Sequence, residues 1–217
     1  MRGVEAIAAR VEELLARRPE LARMAEDIRG ACALLIERFE AGSKLLVCGN
    51  GGSAADAEHI VGELMKGFAR ARPLGLELRG RLEAVDADMG ARLAASLQSA
   101  LPAIALTGHA ALSSAFANDV DPALAFAQQV LGYGRAGDVL LAISTSGRAA
   151  NVLHAAVAAR ALGLKVIGLT GEGGGELAAF CDICLSVPER ETWKAQELHQ
   201  SIYHAACLAI EAAFFAE

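Results

Sequence analysis

The chain has 217 residues, 54% of them hydrophobic and 21% charged, with a formal net charge of −6. That length and composition suit one soluble globular domain with a full-sized core and leave little for a second large one. The acidic balance, with no block of Lys and Arg, argues against a nucleic-acid backbone as partner. Cys32, Cys48, Cys181, Cys184 and Cys207 sit inside apolar segments, which points to reduced thiols in a cytoplasmic protein. The opening residues MRGVEAIAARVEELLARR carry charge throughout and do not read as a signal peptide. The most apolar stretch, Ala205 to Phe215, is interrupted by Glu211 and is too short to span a bilayer, so no membrane partner is expected.

Residues 4–41 read as two helices, because Val4, Ile7, Val11, Leu14 and Leu15, then Leu21, Met24, Ile28, Cys32 and Leu35, recur at spacings of three and four. Pro19 separates them and Gly42-Ser43 ends the second. Lys44 to Cys48 is a buried strand, followed by the turn Gly49-Asn50-Gly51-Gly52-Ser53 and a helix from Ala54 to about Phe68. Residues 69–100, broken by Pro73, Gly75, Gly80 and Gly90, read as an excursion from the core with one short helix at 87–97. Leu101 to Thr107 is the next strand, followed by a short helix near 111–117, a turn at Asn118-Asp119 and a helix over 122–131. Val139 to Ile143 runs into Ser144-Thr145-Ser146-Gly147, and a helical pattern starts at once with Arg148. Lys165 to Thr170 and Ile183 to Val187 are the last strands, with a glycine turn and a short helix at 176–180 between them. Thr192 to Phe215 is one long helix, apolar on almost every side, which suggests burial against other subunits as well as its own sheet. Strand and helix alternate through five cycles, so the expected fold is α/β, a doubly wound five-stranded parallel sheet with helices on both faces. One domain over 1–217 is expected, an N-terminal helical pair at 1–43 and a core at 44–217.

Ligands in such sheets sit beyond the strand C-terminal ends, where both the glycine and the serine turns fall. Ser144, Thr145 and Ser146 stand at a helix N-terminus, whose free N–H groups and dipole favour an anion, so the triplet suits a phosphate. Gly49 to Ala54 matches a dinucleotide fingerprint, but the acidic residue that should end the second strand is missing, so no nucleotide cofactor is expected. Cys181-Asp182-Ile183-Cys184 has the spacing of a redox or zinc pair, yet no second pair exists and the segment enters a buried strand, which favours structural cysteines. His59 and Glu63 share one helix face at i and i+4, with Asp56 a turn earlier. Gln196, Gln200 and His204 form a second polar stripe along the last helix, and polar groups in so apolar a helix need partners. Were the two stripes to meet, His59, Glu63, Gln196 and His204 would suit zinc; equally, Glu63 and His204 alone would serve as an acid–base pair.

CGNGGSAADAEH at 48–59, AFANDV at 115–120, GDVLLAISTSG at 137–147, KVIGLTG at 165–171 and QELHQSIYH at 196–204 together resemble the sugar isomerase domain family, and within it the phosphoheptose isomerases. The resemblance implies a flavodoxin-like sheet and a homotetramer with active sites at subunit contacts. It also implies interconversion of sedoheptulose 7-phosphate and D-glycero-D-manno-heptose 7-phosphate, or of another sugar phosphate; some relatives are instead non-catalytic phosphosugar-binding or docking modules. By position, Ser53, Ser144, Thr145 and Ser146 would hold phosphate, and Asn50, Gly51, Gly52, Asp119 and Gln196 would line the sugar. Glu63 and His204 would move a proton between C1 and C2 through a cis-enediol, and His59, Glu63, Gln196 and His204 match a zinc site of some members. The chain departs from the family at Arg148-Ala149, where Gly-Asn-Ser is usual after the serines, at Gly67, where Arg is frequent, and at Trp193. Arg148 can replace the lost hydroxyl with a charge-assisted bond to phosphate.

Overall fold

The computed structural model describes residues 2–215. Five strands, β1 (Leu45–Cys48), β2 (Ala103–Ala105), β3 (Val139–Ser144), β4 (Lys165–Thr170) and β5 (Ile183–Ser186), form one parallel sheet in the order β2-β1-β3-β4-β5. This is the flavodoxin-like winding, in which the chain reverses direction across the sheet between β1 and β3. Every residue of β1 and β3 is buried, because helices cover both faces, and continuous apolar runs follow from that.

Alternation along each strand divides the core in two. Leu45, Val47, Leu141 and Ile143 point to one face, covered by α1 (Arg2–Arg17), α2 (Ala25–Glu40), α3 (Gly52–Met65) and α9 (Thr192–Phe214). Leu46, Cys48, Leu140 and Ala142 point to the other, where α8 (Ala150–Ala161) lays down Val152, Ala155, Ala156 and Ala159, and α7 (Ala125–Tyr133) adds Phe126 and Val130. α1 commits Ile7, Val11 and Leu14 of the expected stripe to the core but leaves Val4 exposed, and Pro19 opens a six-residue 3-10 helix, Pro19–Met24, before α2.

Several boundaries differ from the sequence reading. α3 starts at Gly52, two residues early, and stops at Met65, while α8 starts at Ala150 rather than Arg148. The delay of α8 has a local cause, since Gly147 N donates to Ser144 O at 2.9 Å and Arg148 N to Ser146 Oγ at 3.2 Å, which holds the serines in a turn. Asp119 ends α6 (Ala110–Asp119) instead of lying in a free turn, and Pro122 opens a short turn before α7. The excursion at 69–100 is more regular than expected. It carries two helices, α4 (Leu76–Val85) and α5 (Ala87–Ser96), packed against each other, with Asp86 capping the second by accepting from Met89 N at 2.7 Å.

Arg72 ties this excursion to the core. Its side chain is fully buried, and Nε donates to Glu211 Oε1 at 2.8 Å, Nη1 to Leu64 O at 2.7 Å and Nη2 to Glu63 O at 3.0 Å. Glu211 on α9 also accepts from the backbone N–H groups of Phe68 and Ala69, both at 2.8 Å. Burial alone would raise the Glu211 carboxyl, but those two N–H groups and the guanidinium outweigh it and hold it below the usual range. Neither residue was singled out from the sequence as more than a break in an apolar run, because each is informative only beside the other.

Candidate active site

Of the cavities that open at the C-terminal edge of the sheet, two share a wall. The first, of about 320 Å³, is lined by Asn50, Gly51, Gly52 and Ser53 from the turn after β1, by Ser144, Thr145, Ser146 and Ala149 from the turn after β3, and by Thr192 and Gln196 of α9. It lies at the β1/β3 switch point, and the starts of α3 and α8 both face it. No side chain caps either helix; Ser53, Ala54 and Val152 N–H bond back to the Asn50, Gly51 and Ala149 carbonyls, and the foremost N–H groups, those of Gly52 and Ala150, are left for an anion. Ser53 and Ser144 are buried, Thr145 half-buried and Ser146 exposed. The two turns are joined by a reciprocal amide pair, with Asn50 Nδ2 donating to Asn151 Oδ1 and Asn151 Nδ2 to Asn50 Oδ1, both at 2.9 Å.

The second cavity, of about 390 Å³, is lined by Gly52, Ala55, Asp56, His59, Trp193, Gln196, Glu197, Gln200 and Tyr203. Gly52 and Gln196 belong to both, so one wall separates them. That wall exists because position 52 has no side chain: a Cβ there would stand 2.4 Å from Gln196 Nε2.

The polar stripes of α3 and α9 do meet. His59 Nε2 is 3.2 Å from Glu63 Oε1, Lys66 Nζ donates to Glu63 Oε2 at 2.8 Å, and the His59 and His204 rings lie edge to face with centroids 5.0 Å apart. Tyr203 donates to Asp56 Oδ1 at 3.1 Å and lies 3.1 Å from His59 Nδ1. With its one proton on Asp56, Tyr203 can only accept from His59, so Nδ1 carries the ring proton and a neutral His59 turns the lone pair of Nε2 toward the Glu63 carboxylate. Two acceptors at 3.2 Å call for a proton or a cation between them. Burial, then the neighbouring His59, pushes the His204 imidazole below its ordinary value against the pull of Glu63, which keeps it neutral near pH 7. Its Nε2 is buried with no hydrogen-bond partner. Burial raises the Tyr203 hydroxyl, and the Asp56 charge adds to that.

A donor set of two imidazoles, a carboxylate and an amide is suited to zinc, and the unpartnered His204 nitrogen and the facing acceptors of His59 and Glu63 fit a cation. Among the described residues, however, no three His, Cys, Asp or Glu side chains already converge closely enough to hold one. Of the other expected residues, Arg148 is exposed and reaches Ser146 through its backbone, and Asp119 sits exposed at the end of α6, outside the lining of both cavities. Sequence reasoning missed Asn151, Thr192, Lys66 as the partner of Glu63, and Tyr203. Lys66 stands at i+3 from Glu63 on the same helical register and was findable, whereas the others declare themselves only across elements.

Residues 8–88 and 83–171 match the SIS domain family. A phosphoheptose isomerase of Rhodospirillum rubrum is 38% identical over 187 residues, covering 86% of each chain, and one of Nitratiruptor is 36% identical over 207 residues, covering 94% of this chain and 97% of its own. The structure of the phosphoheptose isomerase of Neisseria gonorrhoeae superposes with a TM-score of 0.71 at 34% identity, covering 95% of this chain and 97% of that one. That from Francisella tularensis gives 0.71 at 32% identity, covering 97% and 99%. The chain belongs to the SIS domain family. Within the family, the likeness to phosphoheptose isomerases in both sequence and structure extends over almost its whole length. Among the described residues no helix is long and apolar enough to cross a membrane.

Proposed function

We propose that the protein is an aldose–ketose isomerase that interconverts sedoheptulose 7-phosphate and D-glycero-D-manno-heptose 7-phosphate through a cis-enediol. The observation that carries the reading is the shared wall at Gly52 and Gln196, with an anion-ready cavity on one side and, on the other, a cavity lined by Asp56, His59 and Tyr203, against whose His59 Glu63 and His204 pack from behind. A substrate with phosphate at one end and its reacting carbons at the other needs two such chambers in contact. Ser53, Ser144, Thr145 and Ser146, with the first turns of α3 and α8, hold the phosphate, and Arg148 supplies charge from the rim. Asn50, Gly51, Gly52 and Gln196 border the sugar, and Asp119, which lies outside both cavities, is given no part in it. Glu63 and the neutral His204 are the pair that removes the proton at C1 and returns one at C2, while the proton on O1 is released and O2 gains one. Zinc held by His59, Glu63, Gln196 and His204 would polarise the C1 and C2 oxygens or organise the cluster. We further assign a homotetramer with sites at subunit contacts, supported by the exposed apolar side chains Leu76, Val85 and Met89, and a cytoplasmic location, supported by five free thiols.

The test is an NMR time course of the purified protein with sedoheptulose 7-phosphate in deuterated water, run before and after chelation and after zinc addition. The aldose should appear with deuterium at C2. Binding without turnover would replace the enzyme by a phosphosugar sensor, and unchanged turnover after complete removal of metal would end the catalytic role for zinc. Sedimentation of the same sample reads the assembly, and a monomer would overturn the tetramer.

A further inference from the structure

Cys181 and Cys184 flank the bend that leads into β5, where Asp182 between them accepts from Val166 N at 2.8 Å and from Lys165 Nζ at 2.9 Å. The bend brings both sulfurs over the bare backbone of Gly168, the β4 residue paired with Cys184. An ideal Cβ at Gly168 would lie 2.6 Å from Cys181 Sγ and 3.4 Å from Cys184 Sγ, so the space a side chain would fill is where the two thiols meet. Cys32, Cys48 and Cys207 are buried, whereas both members of this pair are partly exposed. Ser186 Oγ at 3.4 Å and Thr170 Oγ1 at 3.7 Å give Cys184 a polar surround unlike that of a packed structural cysteine.

That surround favours a thiolate. The Cys181 thiol foremost, by turning its one S–H from Leu177 O to the sulfur, then the Ser186 and Thr170 hydroxyls, lower Cys184 to about 6 in spite of its burial, while Cys181 is pushed up by the same contact. Burial pushes Cys32, Cys48 and Cys207 up to about 12. The pair is also laced to the serine turn. Cys181 Sγ donates to Leu177 O at 3.2 Å, Leu177 N donates to Gly147 O at 2.9 Å, and Gly171 N donates to Thr145 O at 2.9 Å.

We propose that Cys181 and Cys184 are a peroxide-sensitive dithiol site, and that their oxidation to a disulfide loosens the serine turn and weakens its hold on a sugar phosphate. The Cys184 thiolate attacks one oxygen of hydrogen peroxide; the O–O bond breaks, hydroxide leaves and takes up a proton as water, and Cys184 becomes a sulfenic acid. Cys181, giving up its proton, attacks that sulfur, the S–O bond breaks and a second water leaves. Two thiols thereby lose two electrons and two protons, and one peroxide becomes two waters. The disulfide removes the S–H that bonds Leu177 O and draws the sulfurs to about 2.05 Å. The displaced segment is the one that carries the bond to Gly147. The consequence for binding rests on the proposed phosphate site; the disulfide does not.

The reduced protein is treated with hydrogen peroxide, its free thiols are alkylated, and its peptides are mapped by mass spectrometry with and without dithiothreitol. The expected product is a peptide holding both cysteines that has lost two hydrogens, reversibly, with Cys32, Cys48 and Cys207 still reduced. Calorimetry with sedoheptulose 7-phosphate should then show Kd raised by up to about tenfold on oxidation, the worth of one net hydrogen bond. Dithiothreitol should restore it, and Cys184→Ser should make Kd indifferent to peroxide. No crosslink, or a crosslink that leaves Kd unchanged, overturns the proposal, and both are read on the wild-type chain if the variant fails to fold. A reduced protein that binds no sugar phosphate overturns the phosphate site instead, and the dithiol site is then judged on its mass alone.

Discussion

Glu63 is held by Lys66 at one carboxylate oxygen and by Arg72 at its own carbonyl, while its other oxygen faces His59, so its position depends on residues up to nine places along the chain. A carboxylate held this firmly next to a neutral imidazole has little freedom to miss a carbon proton. Glu63→Gln keeps the shape and removes the base. Turnover should fall about 10²- to 10⁴-fold, the usual contribution of a placed acid–base group, with the melting curve close to wild type. Near-wild-type turnover by this variant would remove Glu63 from the proton transfer. At this scale the sequence was informative about pairs on one helix: His59 and Glu63 at i and i+4 were visible in it. Tyr203, which sets the proton on His59 from another element, was not, since a tyrosine in an apolar helix reads as core.

Between elements, the strap at 66–72 is fastened by one buried ion pair. Its value is a balance of two large quantities. Desolvating each ion costs several kcal/mol, and the pair recovers that only because Glu211 gains two backbone N–H bonds and Arg72 two carbonyls besides the ionic contact. Removing one partner leaves the other charged, buried and unmatched. Arg72→Met should therefore destabilise the fold by about 3–5 kcal/mol in urea unfolding, and pairing it with Glu211→Leu should recover much of that loss. A loss below about 1 kcal/mol would show the pair to be hydrated, like a surface bridge. Arg72 also bonds the last turn of α3, so the single variant should lower activity through Glu63 in molecules that remain folded.

Taken as a whole, the molecule keeps a titratable group at its centre. His199 of α9 is fully buried and its Nε2–H donates to the Thr170 carbonyl at the end of β4, 3.1 Å away. Burial lowers it from 6.5 to about 4, with the Thr170 bond opposing. Between those values the unfolded chain binds a proton that the folded one refuses, so stability rises with pH across the window. The contribution is complete above pH 6.5 and is lost progressively as pH falls toward 4. The slope is at most about 1.4 kcal/mol per pH unit. Urea midpoints of wild type and His199→Gln over that range should diverge, with the variant the flatter; parallel curves would mean that His199 titrates normally.

Local pattern was enough for much of this protein. Short continuous apolar runs, glycine breaks and one-sided helical stripes depend on neighbours in sequence, so the five strands, the flanking helices and the turns that carry Asn50, Ser53 and Ser144 to Ser146 were all legible before any coordinates. The helical hairpin over 76–96 was only half visible, because α4 buries no residue and has no stripe to read. Contacts across long chain separations were decided by the tertiary structure alone. It brought Tyr203 to His59, Asn50 to Asn151, Arg72 to Glu211 and Cys181 over Gly168, and it left Asp119 exposed and outside both cavities. Each of those partnerships is a matter of which surfaces the winding of the sheet sets face to face, and residue spacing carries no record of a distance that only the packed chain defines.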